Sequence, residues 1–131
     1  MKTEKLFSKV VFFFMAVFLF AINLSANEPV VMLNAQPVGD QLTDYEITIT
    51  VSHEGKGRSH YLESVILLLN EVPIKVWQYS KKESPKDFPL IFKEKIKISP
   101  SGPSMIAAKA TCTSDGESDR ASLQIIPGKS Y

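Results

Sequence analysis

From Thr43 to His53 the chain alternates without a break. Tyr45, Ile47, Ile49, Val51 and His53 share one face, and Glu46, Thr48, Thr50 and Ser52 share the other. A period of two carried by β-branched residues describes a strand with one buried face, because successive side chains of a strand point to opposite sides. The same pattern returns further along. His60 to Asn70 is apolar on both faces toward its end, as a central strand would be; leucine tolerates helix as well, but the length, the β-branched pair and the turn at Asn70-Glu71 favour strand. Ile74 to Tyr79 follows a tight turn with Pro73 beside it and carries the single tryptophan, Trp77.

Phe88 to Ile98 alternates again, with Phe88, Leu90, Phe92, Ile96 and Ile98 inward and Lys93, Lys95 and Lys97 outward. That lysine row reads as a solvated face that discourages edge-to-edge pairing. Met105 to Cys112 places Ile106, Ala108, Ala110 and Cys112 on one face, and Ala121 to Ile126 is a last strand. Pro29 to Leu33 supplies a first edge strand, and the Pro127–Tyr131 tail is expected to be loose. Gly, Pro, Ser and Asp cluster between these runs. No helical pattern interrupts them after residue 26. About seven short strands in this arrangement predict an all-β, immunoglobulin-like antiparallel β-sandwich.

The first 26 residues stand apart. Lys2, Lys5 and Lys9 precede an apolar run from Val10 to Leu24, and Ala26 is a small residue before the polar Asn27-Glu28. This is the pattern of a secretory signal peptide over residues 1–26. The competing reading, an uncleaved anchor, asks for about 20 apolar residues, and the run is shorter. A single domain over residues 27–131 and a periplasmic or secreted location are therefore expected. Losing residues 1–26 removes six of the eight phenylalanines and leaves 12 Lys and Arg against 13 Asp and Glu. So neutral a chain offers no electrostatic case for nucleic acid or for an anionic membrane surface.

Export makes the lone cysteine, Cys112, informative. It has no partner for an internal disulfide, so it is a buried inert thiol, an intermolecular link or a metal ligand. No Gly-x-Ser-x-Gly elbow, phosphate loop or dinucleotide fingerprint is present. What remains is His53, His60, Cys112 and Asp115. Both histidines flank the Glu54–Ser59 loop, so they share one pole of a sandwich. Cys112 ends a strand that can reach the same pole. Imidazole, thiolate and carboxylate together suit iron, zinc or copper. Each also has an ordinary reading: a hydrogen-bonded histidine, a packed thiol, and a hairpin turn at Asp115-Gly116.

His53-x6-His60-Tyr61 leading into an apolar strand, the Trp77 strand, and Ala108-Lys-Ala-Thr-Cys-Thr-Ser-Asp-Gly116 together resemble the desulfoferrodoxin/superoxide reductase iron domain. The likeness spans roughly Tyr45 to Ile126. It implies a sandwich with mononuclear iron at one pole, held by four histidines and an axial cysteine thiolate that tunes the metal. By position His53 and His60 match the paired histidines, and Cys112 matches the axial ligand. The histidine expected three residues after the cysteine is Asp115, and no upstream histidine exists, since the chain has two in all. The resemblance therefore implies an iron or similar metal site that lacks ligands used for superoxide reduction. A second likeness, in the Asn70–Ile74 turn and the Asp115–Asp119 hairpin, is to exported SoxZ-type proteins. Those act as partners of a sulfur carrier, which implies a periplasmic redox or sulfur-carrier protein as the alternative partner.

Overall fold

The computed structural model describes residues 28–53, 60–113, 116–129 and 131. The signal segment, the loop that holds Lys56 and Arg58, and Asp115 lie outside the described residues. The strands are β1 (Val30–Pro37), β2 (Asp44–Ser52), β3 (Leu62–Leu69), β4 (Val72–Gln78), β5 (Leu90–Lys97), β6 (Ser104–Cys112), β7 (Gly116–Glu117) and β8 (Ala121–Ile125). They form a three-stranded sheet, β1-β2-β5, and a five-stranded sheet, β4-β3-β6 with β7 and β8 both pairing β6. Every pairing is antiparallel. The chain is the all-β sandwich that its alternation predicts, and the one strand not foreseen is the two-residue β7.

The alternation of β2 explains the core. Tyr45, Ile47, Ile49 and Val51 are all buried and meet Val65, Leu67, Ile106, Ala108 and Ala110 from the opposite sheet. Removing one Ile or Leu side chain from water stabilises the fold by about 1.5–3 kcal/mol, which is why a disulfide is not needed to hold the layers. One flank of the sandwich closes where β1 packs on β6 and β8. The other closes where Trp77 of β4 leans on Phe92 of β5, ring centroids 4.8 Å apart. The lysine row of β5 points outward as expected, and Lys93 and Lys97 pair with Glu46 and Asp44 of β2 at 3.4 and 3.9 Å.

Two sequence expectations change. Strict alternation sets Leu62 on one face of β3 and Val65 and Leu67 on the other. A register shift between Leu62 and Ser64 against β6 brings all three into the core. An extra residue of this kind re-aims the strand beyond it, so the start of β3 is turned relative to its body. The tail is not loose either. The buried Tyr45 hydroxyl sits 2.9 Å from the Ile126 carbonyl and 3.0 Å from that of Lys129, and accepts from the Lys129 N–H at 3.1 Å. Tyr131 adds an N–H bond to the Ala35 carbonyl. Apolar patterning carries no trace of these bonds, because their partners in the tail are backbone groups.

Candidate functional site

The site is built at the pole where β2 ends and β3 begins. His53 follows the last residue of β2 and continues its inward face, so it is buried although it lies beyond the strand. The register Val51↔Leu90 sets the residues before β5 beside those after β2. Phe88 therefore meets His53, its ring edge-on at 5.6 Å and 75°. An edge-to-face contact of this kind holds the imidazole plane.

On the opposite sheet the β3–β6 ladder runs past its last strand pair. The Thr113 N–H donates to the Tyr61 carbonyl at 3.1 Å, and the Tyr61 N–H reaches the Thr113 hydroxyl at 3.4 Å. This fixes the approach of His60 and Tyr61 to β3. It also places Cys112 opposite Leu62 in the ladder. Directly paired residues share a face, and both side chains are buried. Beside them, Ser118 replaces a missing strand partner. It bonds Ala110 twice, accepting from its N–H through the hydroxyl at 2.9 Å and donating its own N–H to the Ala110 carbonyl at 2.8 Å. Gly116, at φ +84°, takes the left-handed conformation that brings the chain back from Cys112 into β7.

The β4–β5 connection completes the pole. Its first turn closes on Ser80, which accepts the Glu83 and Ser84 N–H groups and donates its hydroxyl to Glu83. The buried Ser84 hydroxyl then donates to the Leu62 carbonyl at 3.0 Å, clamping the connection to the start of β3. Between it and the two strand ends lies a cleft of about 740 Å³. His53 and His60 both line it. Leu62, Pro85 and Phe88 give it an apolar wall, and Lys81, Lys82 and Lys86 stand at its rim. From the sequence this connection reads only as a polar loop. The signal was its three lysines within six residues, and what was invisible is the Ser84 bond that turns them toward the histidines.

His53 and His60 are thus brought into one cleft, as their spacing suggests. Cys112 lies in the neighbouring ladder, next to the cleft residue Leu62, and is not among the residues that line the cleft. Among the described residues no three His, Cys, Asp or Glu side chains converge where a metal ion could sit. The centre implied by the resemblance needs four imidazoles and a thiolate, and the chain has two histidines. The residues present do not fit that complete iron centre.

The fold is an antiparallel β-sandwich similar to that of a superoxide reductase. Superoxide reductase from Nanoarchaeum equitans superposes with a TM-score of 0.52, at 20% sequence identity, over 76% of this chain and 93% of that one. At that identity the likeness establishes the fold, at a distance. No family profile and no curated protein sequence matches the chain.

Proposed function

We propose that this chain is an exported, superoxide-reductase-like domain that binds a single metal ion, iron or a similar divalent cation, at the pole bearing His53 and His60. Cys112 and Asp115 are the candidates for the remaining positions. The observation that carries the reading is that both histidines line one cleft, beside the strand that ends in Cys112. Imidazole is a good ligand for zinc, copper and iron alike, so the pair by itself does not select the metal. With two imidazoles in place of four, the site is a binding centre rather than a superoxide-reducing one.

The test is metal uptake by protein expressed as the full chain and recovered from the periplasm, its N-terminus read to check cleavage before Asn27. After treatment with chelator it should take up one equivalent of Fe(II) without oxygen, or of Zn(II), measured by calorimetry and elemental analysis. His53→Ala with His60→Ala should abolish uptake. Wild-type protein that takes up neither metal refutes the reading. A superoxide pulse should decay no faster with the Fe(II)-loaded protein than in buffer.

A second reading, a non-catalytic partner of a periplasmic sulfur carrier in the manner of SoxZ-type proteins, is favoured by one feature. Val72, Ile74 and Val76 stand exposed on β4, directly after the Asn70-Glu71 turn. Exposed apolar side chains grouped on a strand suit a protein surface. Capture of a purified sulfur-carrier protein, lost on Ile74→Glu with Val76→Glu, would support it.

A further inference from the structure

The cleft is larger than a metal site requires, and among its described lining residues the acid or base side chains besides the histidines and Tyr61 are all lysines. A volume of about 740 Å³ lies in the range of pockets that enclose an organic molecule of drug size, roughly 300–1,000 Å³. Lys81, Lys82 and Lys86 line it, and no Asp or Glu is among its described lining residues. The two carboxylates of the same connection, Glu83 and Asp87, do not line the cleft, and Glu83 accepts the Ser80 hydroxyl at 2.9 Å. Elsewhere among the described residues three lysines sit against acids, Lys93 with Glu46, Lys97 with Asp44, and Lys109 with Glu117 at 2.8 Å. The wall is different in kind: Leu62, Pro85 and the Phe88 ring are apolar.

From this combination we infer that the cleft binds an organic anion with an apolar body, its body against Phe88 and Leu62 and its carboxylate or similar head at the lysine rim. An inorganic oxyanion would meet the lysines and leave the wall bare. A neutral apolar molecule would fill the wall and leave the three ammonium groups without a counter-charge. Convergent polar groups over an apolar wall are how small-molecule sites fix orientation. The Ser84 bond to Leu62 makes the rim part of the fold, so less ordering is needed when ligand arrives. The inference does not depend on a metal at the imidazoles.

Calorimetry on the full-chain expression product, stripped of metal by chelator and held at low salt, tests it with three probes. 1-Naphthoate carries body and head, 1-naphthalenemethanol the body alone, and acetate the head alone. Naphthoate should bind with a submillimolar Kd, and the other two at least about tenfold more weakly. Lys81→Gln, Lys82→Gln and Lys86→Gln combined should weaken naphthoate binding by about tenfold or more, while Lys93→Gln with Lys95→Gln on the outer face of β5 should leave it unchanged. Absent naphthoate binding, equal affinity for the alcohol, or full affinity in the rim variant would each overturn the inference. Because metal is removed throughout, none of these outcomes bears on the metal reading.

Discussion

The two ends of β2 finish in polar aromatic side chains of the same buried face, Tyr45 and His53, and the molecule uses them in opposite ways. At the Tyr45 end the hydroxyl is surrounded by the chain's own tail, and its bonds to Ile126 and Lys129 close that pole. At the His53 end the ring rests on Phe88 and faces a cleft with a cationic rim. One strand thus couples a pole sealed by hydrogen bonds between the Tyr45 hydroxyl and the tail backbone to a pole kept open by a clamped loop. Nothing in the alternation distinguishes the ends. The difference lies in what the rest of the chain brings to each.

Each pole can be perturbed separately. Tyr45→Phe keeps the ring and removes the hydroxyl, leaving backbone groups of the tail without their partner. It should destabilise the fold by about 1–3 kcal/mol, read as a lower urea midpoint at unchanged slope, with metal uptake at the other pole retained. Loss of metal uptake as well would show that the poles are not independent.

Ser84→Ala acts on the open pole. It costs about 1 kcal/mol for a buried hydrogen bond, and it frees the lysine-bearing connection from Leu62. Weaker naphthoate binding should accompany that small loss of stability; unchanged binding would mean that the clamp does not position the rim.

The smallest effect is expected from an exposed ion pair. Arg120 forms a two-pronged ion pair with Glu71, whose backbone at φ 71° is in the left-handed region of the β3–β4 turn. The hydrogen bonds from Arg120 hold the Glu71 carboxyl below its ordinary value of 4.5, and the same bonds raise Arg120. A carboxyl depressed in the folded state adds stability above its unfolded value, and that stability fades as pH falls through the folded value. Arg120→Gln should therefore lower the urea midpoint slightly at neutral pH, and the difference from wild type should shrink as pH falls below 4.5 and vanish only below the lowered folded value of Glu71. Both groups are exposed, so salt should shrink the effect too.

Some of this could be read from residues alone. The inward positions of β2, β5 and β6 follow from period two, because one buried face imposes its spacing on every residue of a strand. The sharing of a pole by His53 and His60 follows from chain connectivity. The resemblance carried by His53, His60, Tyr61 and the Cys112 segment led to the superoxide-reductase-like fold that the superposition bears out.

Other features were decided only by the tertiary structure. The register shift that brings Leu62 inward with Val65 depends on pairing with β6, fifty residues away in Cys112. The docking of the tail on Tyr45 is written in carbonyl oxygens, which every residue has and no pattern marks. The lysine rim depends on one serine bond across the mouth of the cleft. Sequence alone determined which faces are buried, since burial is a property of side-chain chemistry repeated along a strand. Which pole is sealed and which is open was settled by long-range hydrogen bonds, whose partners are chosen in space rather than along the chain.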